Sequence, residues 1–160
     1  MHIYEDESVS MGIFLLPLGA RLPLHDHPQM TVLSQLLFGK LHVESYTWED
    51  GSIDHMAATL DECGYVSGPA MLDLHAEERN IHDLEAISEN GVAFFDVLCP
   101  PYSNGRDCTY YEVVQDLPSL YDVERVELEA VPCPPDFICL HSTYQGEKVD
   151  NEVVAGLAPA

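Results

Sequence analysis

Hydrophobicity in this chain repeats every two residues, and that period constrains the fold more than any other feature. In "KLHVESYTW", Leu41, Val43, Ser45 and Thr47 alternate against His42, Glu44, Tyr46 and Trp48. Alternate side chains fall on opposite faces only when the backbone is extended. "PAMLDLH", "GVAFFDVL", "CTYYEVV" and "VERVELEAV" are similar short runs rich in β-branched and aromatic residues, and "MGIFLLPLG" reads as another strand. Turn residues interrupt them in "EDGS", "SENG", "PPYSNGRD" and "CPPD". Strands punctuated in this way at roughly 8–12-residue spacing predict an antiparallel sandwich or barrel. Few helical turns are expected, one of them opened by Pro118 in "VVQDLPSLYDV". With 160 residues there is room for one core. The expected organisation is one all-β domain over 1–145 and a loosely held tail over 146–160.

Charge narrows the partners. Twenty-eight Asp and Glu face six Lys and Arg, a net charge of −22 with histidine neutral. Such a surface repels phosphate backbones and anionic lipids, so nucleic acid and membrane partners are not expected. Cationic small molecules or basic peptides suit it better. No run approaches the ~20 apolar residues of a membrane helix, and "MHIYEDESVS" is too acidic for a secretory leader. Five cysteines, at 63, 99, 108, 133 and 139, form no framework and no C-x-x-C. Free thiols in the cytoplasm or nucleus are the expectation.

One stretch points to chemistry. "LPLHDHPQMTVLSQLLFG" sets His25 and His27 one residue apart between apolar runs. In a strand the two imidazoles share a face and can grip one divalent metal, but borderline metals want at least three protein ligands. Gly19 lies six residues before His25 and Gly39 twelve after His27, both suited to turns.

The pattern G-x5-H-x-H followed by Gly39 resembles the first cupin motif, which implies a cupin-type double-stranded β-helix, or jelly-roll barrel. That motif usually carries a glutamate ligand at the position of Thr31 or Val32, and neither can serve here. The absence resembles the thiol dioxygenase branch, whose iron is held by three histidines. Longer segments extend the likeness. "YEDESVSMGIFLLPLGARLPLHDHPQMTVLSQLLFGKLHVESYTW", "NIHDLEA" and "DVLCPPYSNGRDCTYYEVV" are similar to the plant cysteine oxidases and cysteamine (2-aminoethanethiol) dioxygenases over about residues 4–145. The likeness also implies that a longer N-terminal extension of many relatives is missing.

The resemblance implies an Fe(II) site of His25, His27 and His82. Asp96 would bond a substrate amine or metal-bound group, and Tyr102 would sit on a mobile loop at the mouth. An aspartate capping the "PPYSNG" turn is the plain alternative for Asp96. Cys108 and Tyr110 match a pair that can become covalently crosslinked in the animal enzymes, with packing as the alternative. Glu78 and Arg79 stand where relatives often carry a glycine pair, which bears on the local turn. Cys63, Cys99, Cys133 and Cys139 are taken as structural thiols, and His42 as a surface or core polar group.

The implied reaction is thiol plus O2 to sulfinic acid. The expected substrate is the N-terminal cysteine of proteins or peptides, in an oxygen-sensing N-degron role, with cysteamine to hypotaurine as the alternative. A cupin isomerase, a zinc hydrolase and a non-oxygenase metal-binding cupin are the other readings. A monomer is the simplest assembly.

Overall fold

The computed structural model describes residues 1–49, 56–103 and 105–149. Eleven strands follow in order: β1 (His2–Glu5), β2 (Ser10–Leu16), β3 (Arg21–Asp26), β4 (Thr31–Phe38), β5 (Lys40–Trp48), β6 (Ala57–Ser67), β7 (Ala70–Leu74), β8 (Ile81–Ala86), β9 (Val92–Cys99), β10 (Tyr110–Leu120) and β11 (Val123–Val131). The all-β expectation holds, and every run quoted for its alternation is a strand. One expectation fails. No α-helix forms among the described residues, and Pro118 lies inside β10 rather than opening a helical turn. The ladder with β11 is irregular between Leu117 and Leu120, so proline's missing N–H is not needed there. The chain turns at Tyr121 and Asp122, with φ of 53° and 64°, as a tight two-residue hairpin requires.

The strands make a five-stranded sheet, β1-β2-β9-β4-β7, and a closed barrel, β10-β11-β6-β5-β8-β3. Two cores result. Leu16, Leu36, Leu41, Val43, Leu84, Ala86, Val92 and Phe94 fill the space between the sheet and strands β5 and β8. Leu24, Tyr46, Ala58, Ile81, Tyr111, Val126 and Leu128 fill the barrel. Strands β5 and β8 supply both cores because alternate residues face opposite ways. Of the expected tail, residues 150–160 lie outside the described residues, as does His55.

Gly39 closes the turn between β4 and β5 with φ +93°. A Cβ there would stand 2.5 Å from the Gly91 carbonyl oxygen, whereas one on Gly19 (φ +77°) would meet nothing within 4 Å. Gly39→Ala should therefore cost about 2–4 kcal/mol, strain plus clash. Gly19→Ala should cost only about 1 kcal/mol, for the left-handed backbone. Urea unfolding of the two variants measures the difference.

Candidate metal centre

A one-residue irregularity in β3 aims the first histidine. Leu22 pairs with Leu84 and His25 with His82, so three steps along β3 match two along β8. Leu24 enters the barrel core, while Leu22 packs on the other core. The extra residue returns His25 to the face of Leu22, which uninterrupted alternation would have denied it. His82 shares that face with Leu84 and Ala86. His27 follows the end of β3. The ligating atoms of His25, His27 and His82 lie within 4.8 Å of one another and form a group that could hold a metal ion.

The segment after β3 is anchored by side chains that belong to no motif. Asn80 accepts from the His27 amide (3.0 Å) and donates to the His27 carbonyl (2.8 Å). Asp26 faces the barrel, where it accepts from the Thr109 amide (2.8 Å) and the Tyr111 hydroxyl (3.0 Å). These polar groups are buried with partners, as burial demands. Their sequence signal was faint: an Asp between the histidines and an Asn just ahead of the strand of His82.

Hydrogen bonds also fix which ring nitrogens are free. His25 Nδ1 lies 2.7 Å from the Pro23 carbonyl, which can only accept, so Nδ1 carries the proton and Nε2 a lone pair. The Tyr102 hydroxyl donates to the Asp26 carbonyl (2.7 Å) and sits 2.8 Å from His27 Nδ1. Its single proton is committed, so His27 Nδ1–H donates to it and Nε2 is again free. Tyr102 thus stands behind His27, bracing its ring. Burial pushes all three imidazoles below their ordinary value, and mutual proximity pushes His27 and His82 further. They are neutral donors at neutral pH.

The donor set fits a divalent cation. His27 Nε2 and His82 Nε2 are 3.1 Å apart. An ion bonded at ~2.1 Å to two nitrogens at right angles sets them about 3 Å apart. Among the described residues no carboxylate belongs to the group.

Asp96 lies in the interior of β9, paired with Gly12 and Ser34, and caps no turn. Burial pushes its carboxyl up to about 7, against a hydrogen bond from Ser34. Its Oδ1 has no partner among the described residues, and neither has the buried Ser45 Oγ, opposite His82 in register. His82 also lines a cavity of about 230 Å³ with Ser34, Ser45, Asp73, Arg79 and Leu84. The Cys108 thiol touches the hydroxyls of Tyr102 and Tyr110, and burial pushes it up to about 11. Tyr110 pairs with His25 across the strands, ring centroids 6.4 Å apart.

Each arginine has a partner of its own. Arg21 pairs with Asp83 and Arg125 with Glu49, while Arg106 bonds the Pro101 carbonyl (3.4 Å). Arg79 adopts φ 55°, the left-handed conformation glycine takes freely, and pairs with Asp73 at 3.0 Å.

A jelly-roll of this topology is a cupin-type barrel, and its three inward histidines could hold a metal ion. The Schizosaccharomyces pombe Cnp3 cupin domain superposes with a TM-score of 0.50 at 14% identity, covering 63% of each chain. The chain belongs to the PCO_ADO family, whose profile matches residues 1–149. It is 33% identical to the 2-aminoethanethiol dioxygenase of Mus musculus, over 93% of this chain and 70% of that one. It is 37% identical to plant cysteine oxidase 1 of Arabidopsis thaliana, over 69% of this chain and 40% of the relative. The family and its relatives make the chain a dioxygenase by membership.

Two outcomes follow for the site. Tyr102→Phe removes the acceptor that orients His27 and should weaken iron(II) binding by ~10- to 100-fold in a chelator competition. Asp96 also gives the metal-free protein a pH signature. The unfolded chain releases this proton near pH ~4 and the folded chain only near pH 7. Raising pH through that window therefore favours unfolding. Asp96→Asn should flatten this slope, so that the variant gains on the parent protein in melting temperature as pH rises to 7.

Proposed function

We propose that the protein is an Fe(II)-dependent thiol dioxygenase that converts an N-terminal cysteine of proteins or peptides to cysteine sulfinic acid. The observation that carries this reading is the convergence of three neutral imidazoles with no carboxylate beside them, in a chain of this family. Iron(II) bound there would supply a centre for thiolate and dioxygen together, since three protein ligands leave positions open. The sulfur loses four electrons and dioxygen gains them: R–SH + O2 gives R–SO2H, with no other co-reactant.

The chain's residues define the rest. His25, His27 and His82 hold the ion, with Tyr102 and Asn80 fixing His27. Asp96 Oδ1 and Ser45 Oγ are unpartnered, and a buried polar atom left so costs roughly 1–3 kcal/mol. A substrate ammonium or its amide satisfies such acceptors. Three of the four arginines line no part of the cavity, and Arg79 is held by Asp73. A substrate without a free carboxylate is thereby favoured, which describes both a Cys-initiated peptide and cysteamine. The −22 charge favours the peptide, above all a basic one, and discourages nucleic acid and membrane surfaces. Five free cysteines accord with a cytoplasmic or nuclear setting, and a monomer is the simplest working unit. Cys108 and Tyr110 are in contact, which supports a thioether formed with loss of two hydrogen atoms to dioxygen. Oxygen-dependent oxidation of N-terminal cysteine would place the protein in an N-degron response.

The test mixes the iron-loaded protein in air with a Cys-initiated peptide and, separately, with cysteamine. Mass spectrometry should show two oxygen atoms gained on the peptide sulfur, with His82→Ala abolishing the gain. Gain on cysteamine alone would make hypotaurine formation the function. Gain on neither, with iron bound, would leave a metal-binding cupin that is no oxygenase.

A further inference from the structure

We infer that His42, Glu44 and Cys63 form a second metal site, for a borderline divalent cation of the zinc type, on the face of β5 and β6 turned away from the histidine triad. The strand register builds it. His42 and Glu44 are two residues apart on β5 and share a face, and Cys63 of β6 is the direct partner of Glu44. Ser45, the next residue along β5, faces the opposite way and pairs with His82. The two sites therefore lie on opposite faces of the adjacent strands β5 and β8.

Geometry and donor chemistry agree. Cys63 Sγ is 3.8 Å from His42 Nε2 and 3.8 Å from Glu44 Oε1, and one ligating atom from each residue lies within 4.8 Å of the others. A tetrahedral ion bonded at ~2.3 Å to sulfur and ~2.0 Å to nitrogen sets those two atoms about 3.5 Å apart. The approach needed is a few tenths of an ångström, within the reach of half-exposed side chains. Thiolate, imidazole and carboxylate together suit zinc and its neighbours rather than calcium or magnesium. The fourth position is left to water.

Surrounding residues support the ligands. Tyr46 donates to Glu44 Oε2 (3.3 Å), orienting the carboxylate from the barrel core, as outer partners of metal ligands commonly do. The His42 ring rests against Tyr65, centroids 5.0 Å apart. On β8, Glu85 is the direct neighbour of His42 and Asp83 of Glu44, adding negative charge. Arg21 is taken up by Asp83, and Lys40 lies over the Tyr65 ring. Desolvation and Glu44 raise the Cys63 thiol.

Anaerobic titration of the full chain with cobalt(II) separates the two sites, because only this one offers a thiolate. The expected result is a near-ultraviolet thiolate-to-cobalt charge-transfer band that Cys63→Ser removes. The weaker visible absorption of cobalt on the imidazoles should remain. His42→Ala should lower the affinity reported by the band by ~10-fold or more. His82→Ala, which disables the triad, should leave the band in place. A titration without the band, or a band that survives Cys63→Ser, would overturn the inference whatever the triad binds.

Discussion

The whole site depends on one extra residue in β3. Between Leu22 and His25 the strand advances three residues while β8 advances two. Without that step His25 would face away from Leu22 and His82, toward the barrel core, and the two histidines would stand on opposite faces. The irregularity lets one short strand serve two cores and still deliver an imidazole to its partner. A bulge next to a functional group is a recurrent device for re-aiming a side chain, and here it brings His25 beside His82.

Around that step the structure spends its buried polar groups on holding His27. Asn80 bonds its amide and carbonyl, Tyr102 its ring, and Asp26 ties the same segment to Thr109 and Tyr111. Every one of these contacts spans more than fifty residues of sequence. His27 Nε2 lies 3.1 Å from His82 Nε2, a spacing that either a shared proton or a bound cation satisfies. On the proposed function, the neutral, carboxylate-free donor set would admit a divalent metal with open positions and then an anionic sulfur ligand.

Much of this was legible in the sequence, for a local reason. Alternation is a property of neighbouring residues, so the strands of "KLHVESYTW" and "GVAFFDVL" could be read directly, as could Gly19 and Gly39 at left-handed turns. Pro118 misled because proline speaks against a strand unless the ladder is already broken, and the break beside Leu117 depends on β11. His82 was accessible only through resemblance, since nothing local marks a histidine fifty-five residues after His27 as its neighbour. Asn80, Asp26 and the bracing position of Tyr102 depend on long-range register, which no local pattern encodes. The same is true of the His42, Glu44 and Cys63 cluster, whose cysteine comes from a different strand.

X-ray absorption at the iron edge tests the central claim most directly. The resting, anaerobically loaded protein should show a first shell of nitrogen and oxygen only, with the outer scattering pattern of three imidazoles. Adding a Cys-initiated peptide without oxygen should bring one sulfur atom into that shell. Sulfur in the resting shell, or fewer than three imidazoles, would contradict the assignment of His25, His27 and His82. A shell unchanged by the peptide would contradict thiol binding at the metal.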